Sequence, residues 1–144
     1  MTKGLWMVTL CVGLVACGNG KAKNELEAKK QVRNSVVEVL YFHGKQRCAT
    51  CVAIERNTKE LLETSFADRL RSGELAFRSI DITEEEVLAD KYEVSWSSLI
   101  IVDYDPNGGE TAENMTDFAF GNARTAPDAF KRGVAEQINM MLND

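Results

Sequence analysis

Val36-Val37-Glu38-Val39-Leu40-Tyr41-Phe42, then the polar His43-Gly44-Lys45-Gln46-Arg47, then Cys48-Ala49-Thr50-Cys51, is the stretch that decides the fold. Its first seven residues are rich in β-branched and aromatic side chains and carry one charge, the composition of a mostly buried strand. From Cys48 to Thr64 the period changes, and Cys51, Ile54, Thr58, Leu61 and Leu62 fall on one face of a helix. The two cysteines therefore stand where a buried strand hands over to a helix N-terminus. Unpaired N–H groups and a partial positive charge there favour a thiolate at the first cysteine. A spacing of three puts the second sulfur one turn on and within reach of the first, so the pair can cycle between dithiol and disulfide. Arg47 and Lys45 add positive charge, which is expected to lower the Cys48 pKa further. The thiolate is the attacking species, so this tuning sets reactivity.

Outward from this stretch, Phe66-Ala67-Asp68-Arg69-Leu70 predicts a further helical turn, and Leu75 to Ile80 alternates as a second strand. Thr83-Glu84-Glu85-Glu86 predicts a helix running to about Tyr92, with Thr83 as its cap and Glu86 at the capping-box position. Leu99 to Tyr104 reads as a third strand. Asp105-Pro106-Asn107-Gly108-Gly109 is a turn cluster, and Glu113 to Phe120 is expected to return antiparallel. Pro127 opens a last helix, with Phe130, Val134, Ile138 and Met141 on one face. The fold class is α/β: a central mixed sheet in the order β-α-β-α-β-β-α, flanked by helices. About 110 residues of this kind can bury roughly two-thirds of the unfolded surface.

A strand, a CxxC at a helix start and these elements in this order resemble the thioredoxin-like superfamily over residues 35–144. The resemblance implies that Cys48 is the exposed nucleophile and Cys51 the buried resolving thiol. It also brings expectations that this chain departs from. The family's cis-proline before the third core strand is replaced by Ser98, with Ser97 and Trp96 beside it. A cis bond without proline costs about 2.5–4 kcal/mol, which favours a trans bond here. The buried acid that thioredoxins carry on the first strand has Leu40 as its nearest equivalent, and the tryptophan usual before the first cysteine is Arg47. The chain reads as a divergent member.

The N-terminus has the layout of a secretory signal peptide: Lys3, then an uncharged apolar run from Leu5, then small residues. The run is about 13 residues, too short to cross a bilayer, which needs about 20. Leu14-Val15-Ala16-Cys17 resembles the lipobox of bacterial lipoproteins. That resemblance implies cleavage before Cys17 and a diacylglycerol on its sulfur, and two or more acyl chains give stable anchoring. Residues 1–16 are then the signal peptide, 17–34 a lipid-anchored tether, and 35–144 the folded domain. Gly18 lacks an acidic retention signal, which points to the periplasmic side of the outer membrane.

The chain has 144 residues, 44% of them apolar, with four cysteines and a net charge of −5. This is an ordinary globular composition, and it shows no basic footprint for nucleic acid. Cys11 leaves with the signal and Cys17 is acylated, so one redox pair remains and no four-thiolate metal site.

The first functional reading is a membrane-anchored extracytoplasmic thiol–disulfide oxidoreductase. Its partners are protein thiols and disulfides and a membrane electron carrier of a thiol redox pathway, and no cofactor or metal is required. Two alternatives stay open. One is a metal-binding or redox-sensing module, since thiolates favour soft ions such as Cu(I). In that reading His43 joins Cys48 and Cys51 as a third ligand, one short of structural zinc. The other is a non-enzymatic binding domain with a structural disulfide. Around the cysteines, Arg47, His43, Trp96, Ser97 and Ser98 are the candidates for tuning or for a substrate groove. His43, the single histidine, fits a thiolate partner or proton carrier, although its place in the loop suits turn support better. Trp96 fits a groove wall and a packing residue equally.

Overall fold

The computed structural model describes residues 36–143. The signal segment, Cys17 and the tether lie outside the described residues. The strand read from Val36 forms β1 (Val36–His43), and its apolar density has a plain cause. Val37, Val39 and Tyr41 enter one core layer while Leu40 and Phe42 enter the other, all five fully buried. His43 is the last residue of β1, paired with Asp81, and not part of the loop.

Helices α1 (Ala49–Ser65) and α2 (Ala67–Ser72) follow, then β2 (Leu75–Asp81), α3 (Glu86–Lys91), β3 (Ser98–Tyr104), β4 (Glu110–Asn114), α4 (Thr116–Asn122) and α5 (Pro127–Asn143). The sheet order is β2-β1-β3-β4. β2 runs parallel to β1, whereas β3 and β4 are each antiparallel to their neighbour. The larger layer joins β1 to the apolar faces of α1 and α5, through Ile54, Leu61 and Leu62 on one and Phe130, Val134 and Ile138 on the other. Each such fully buried side chain contributes roughly 1.5–3 kcal/mol of transfer free energy. The smaller layer sets Ala89 of α3, with Val94 after it, against Leu40, Phe42, Ile80 and Ile100. A sheet with β1 and β3 as its inner strands, β2 parallel to β1, β3 antiparallel to it, β4 reversing again at the edge, and helices on both faces is thioredoxin-like.

Two expectations are corrected. Glu113 to Phe120 is not a strand: the ladder ends at Asn114, which pairs with Ile100, and α4 begins at Thr116. The Asn114 side-chain oxygen accepts from the Thr116 N–H, and the Thr116 hydroxyl accepts from the Leu99 N–H, so the chain turns inward there. Thr116, Ala119 and Ala123 are then buried at helical spacing. Thr83 also does not cap a helix. Its N–H and hydroxyl both donate to the Asp81 carboxylate, which makes a turn, and α3 starts only at Glu86.

Candidate active site

Cys48 is the N-cap of α1: its backbone is extended, and its carbonyl accepts from the Val52 N–H at 3.0 Å. Its sulfur takes the position that a serine or aspartate oxygen usually fills, accepting from the Cys51 N–H at 3.0 Å. The first turn of the 17-residue α1 holds no acidic residue, so nothing there competes for its positive end. Cys48 and Cys51 are joined in a disulfide with Cα atoms 5.0 Å apart. Cys48 is exposed while Cys51 is 6% exposed. One cysteine of the pair meets solvent and the other backs onto the core.

The strand residue beneath Cys51 is Tyr41, and Leu40, expected there from the sequence, points into the opposite layer. The buried Tyr41 hydroxyl donates to the Cys51 carbonyl at 2.8 Å. The phenol beneath the CxxC is thus committed to the main chain. Sequence reasoning missed Tyr41. The signal was available, because the alternation of Val37, Val39 and Tyr41 matches the face that the helix of Cys51 must cover.

Arg47 precedes Cys48 and its guanidinium turns along the flank of α1. It pairs with Glu55, and its carbon lies 5.5 Å from the centre of the Tyr41 ring. Glu55 also accepts from Lys59 at 2.8 Å and from the Ser79 hydroxyl of β2 at 3.0 Å. Burial alone raises the Glu55 pKa, but the bonds from Lys59, Arg47 and Ser79 outweigh it and lower the carboxyl to about 2. On the other side of the loop, Asp81 is held below the usual carboxylate range. The Thr83 N–H and hydroxyl are the main causes, and His43 and Lys45 add to them. Arg47 of the Cys48 loop therefore has Glu55 to face, and Lys45 adds its charge to the field at Asp81. The His43 Nδ1 lies 3.1 Å from the Gly44 carbonyl and its ring 5.9 Å from that of Tyr41. Among the described residues no group of three or more His, Cys, Asp or Glu side chains is placed to hold a metal ion.

Ser98 pairs with Phe42, the residue before His43. That register brings the segment from Trp96 to Ser98 to the end of the sheet from which the Cys48 loop departs. Ser97 and Ser98 are buried, and the Ser98 hydroxyl donates to the Trp96 carbonyl at 3.1 Å. All peptide bonds among the described residues are trans, the one before Ser98 included. Trp96 is 53% exposed, with its ring 5.1 Å from that of Phe120. It forms one wall of a cavity of about 350 Å³ together with Glu93, Ser98, Asn114 and Asp117. Val52, next to Cys51, is also exposed.

No family model matches the chain, and no curated protein does. Among solved structures it is similar to the Trx4 domain of ERdj5, at 15% identity and a TM-score of 0.49 over 76% of this chain and 82% of that one. It is similar to a disulphide isomerase from Xylella fastidiosa Temecula1, at 16% identity and a TM-score of 0.47 over 92% and 99%. It is also similar to a Fasciola hepatica thioredoxin, at 16% identity and a TM-score of 0.46 over 83% and 93%.

Proposed function

We propose that this protein is a membrane-anchored thiol–disulfide oxidoreductase acting outside the cytoplasm. The observation that carries the reading is the asymmetry of the pair: an exposed Cys48 sulfur capping a long helix, disulfide-bonded to a buried Cys51. In the reduced protein the Cys48 thiolate is stabilised by the Cys51 N–H and the helix end. It attacks one sulfur of a substrate disulfide, forms a mixed disulfide and releases the first substrate thiolate. The Cys51 thiolate then attacks Cys48 Sγ, closes the internal disulfide and releases the second. Two electrons pass to the substrate, and the same steps run backwards oxidise a dithiol.

The substrates are protein thiols and disulfides. A membrane electron carrier of a thiol redox pathway resets the pair. The Leu14-Val15-Ala16-Cys17 sequence supports a lipid anchor at Cys17, with the domain on the periplasmic side of the outer membrane. Among the described residues no helix is long and apolar enough to cross a membrane, so in this reading attachment rests on the lipid.

The activity test is turnover of a model protein disulfide by the domain with a dithiol reductant. Wild type is expected to turn over and Cys48→Ser to be inactive, and equal rates would overturn the mechanism. For the anchor, full-length protein in a bacterial host is expected to take up labelled fatty acid and to sediment with membranes. Cys17→Ala should do neither, and an unlabelled, soluble wild type would remove that part of the reading.

A further inference from the structure

We infer that Glu55 is a positioning residue that restrains the reactivity of Cys48 by holding the Arg47 guanidinium away from its sulfur. The inference rests on the oxidoreductase reading and deepens it.

Arg47 is adjacent to Cys48, so an unrestrained guanidinium there could reach a Cys48 thiolate and stabilise it. The structure instead directs it along α1 to Glu55, two helical turns beyond Cys48. Glu55 is unusual among the acids of this face, with a side chain only 14% exposed. A carboxylate so placed is held by donors from three elements: Arg47 of the loop, Lys59 of its own helix, and Ser79 of β2. These are charge-assisted bonds, stronger than neutral ones. The Tyr41 ring lies under the Arg47 guanidinium and adds a cation–π contact. Tyr41, Glu55, Lys59 and Ser79 thus surround the path of Arg47 from β1, α1 and β2, while His43 pairs with Asp81 across the sheet. Among the described residues Glu55 is the one acid ion-paired with Arg47.

The consequence is opposite in sign to a simple count of cations before the CxxC. With Glu55 in place, Arg47 is largely neutralised, and Cys48 relies on the helix end. With Glu55 neutral, Arg47 is released toward the sulfur and the thiolate becomes easier to form.

The test is the Cys48 pKa of the fully reduced domain, read from thiolate ultraviolet absorbance and from the pH dependence of alkylation. Both readouts are independent of any disulfide substrate. Glu55→Gln keeps the shape and a hydrogen-bonding oxygen, and is expected to lower the Cys48 pKa by about half a pH unit, a roughly threefold gain in thiolate below it. Arg47→Gln, at an exposed position, is expected to leave the pKa at or slightly above the wild-type value. In the Arg47→Gln background, Glu55→Gln should then change it by less than about a third of that amount. An equal drop with and without Arg47 would mean that Glu55 acts by its own field, and no drop in Glu55→Gln would mean that Arg47 stays in place without it; either overturns the inference. If Glu55→Gln unfolds, Arg47→Gln still decides: a rise in the Cys48 pKa of half a unit or more shows Arg47 already acting on the thiolate in wild type and overturns it. Failure of the function reading looks different, since an inert disulfide would leave these titrations intact while turnover is absent.

Discussion

The Tyr41 hydroxyl reaches from near the C-terminal end of β1 to the Cys51 carbonyl in the first turn of α1, at 2.8 Å and fully buried. This bond ties Cys51 to an inner strand of the sheet. It also means that the residue beneath Cys51 is a hydrogen-bond donor already in use.

Removing only that hydroxyl tests what it contributes. Tyr41→Phe keeps the ring and its packing and leaves the Cys51 carbonyl one donor short. The expected loss is about 1–2 kcal/mol of folding stability, read from the denaturant midpoint at unchanged slope. Tyr41→Ala also empties a large volume at the junction of β1 and α1, and is expected to cost about 3–5 kcal/mol. A Tyr41→Phe variant as stable as wild type would show that the bond offers no net gain over water.

The asymmetry of the cysteines gives a second expectation. Cys51→Ser leaves the exposed sulfur and the helix end that stabilises it, but nothing to resolve a mixed disulfide. It is expected to accumulate a covalent complex with a disulfide substrate, seen on non-reducing gels and dissolved by dithiol. Cys48→Ser should form none, because the remaining sulfur is 6% exposed. Comparable trapping by both variants would contradict the assignment of attacking and resolving roles.

Much of this was readable in the chain itself. The run from Val36 to Phe42 reads as a mostly buried strand, and Ile54, Leu61, Phe130 and Val134 mark the helix faces that cover it. What could not be read depended on contacts distant in sequence. Phe118 and Phe120 alternate as in a strand, yet Phe118 stacks on Phe130 and Phe120 lies on Trp96, both from a helix. The Thr83 and Glu86 pair has the spacing of a capping box, but the Asp81 carboxylate at the end of β2 claims Thr83 first. Glu55 carries no sequence signal of its own, because Arg47 and Ser79 meet it only after β1, α1 and β2 have packed. Leu40 and Tyr41 are neighbours in β1 yet enter opposite core layers, because in a strand one residue changes the face.

The packing of α4 on α5 depends on a missing side chain. A Cβ on Gly133 would overlap the Phe118 ring, with Cε1 at 2.7 Å. Phe118 is itself stacked on Phe130, 6.4 Å between centroids, so it cannot move without disturbing the core. Gly133→Ala gains about 1 kcal/mol of helix propensity and loses about 1–3 kcal/mol to overpacking. A net destabilisation of about 1 kcal/mol is expected in thermal or denaturant unfolding. In a Phe118→Leu background the clash is relieved and the same substitution should be neutral or stabilising. Destabilisation of equal size in both backgrounds would assign the cost to something other than the ring.

Glu55 predicts how stability depends on pH. Its carboxyl falls from an ordinary value of 4.5 to about 2 on folding, because the bonds from Lys59, Arg47 and Ser79 outweigh the cost of burial. A group whose pKa is lowered by folding binds fewer protons in the native state than in the unfolded one. Its contribution is therefore complete above about 4.5, declines as pH falls through the interval, and is gone below about 2. Three donors to one carboxylate suggest about 1–3 kcal/mol at neutral pH. Glu55→Gln should lose this amount at pH 7 and approach wild-type stability at low pH, so that the two stability curves converge on acidification. Parallel curves from pH 7 down to about 2 would show that the Glu55 charge is not coupled to folding, and that Arg47 and Lys59 are held by something else.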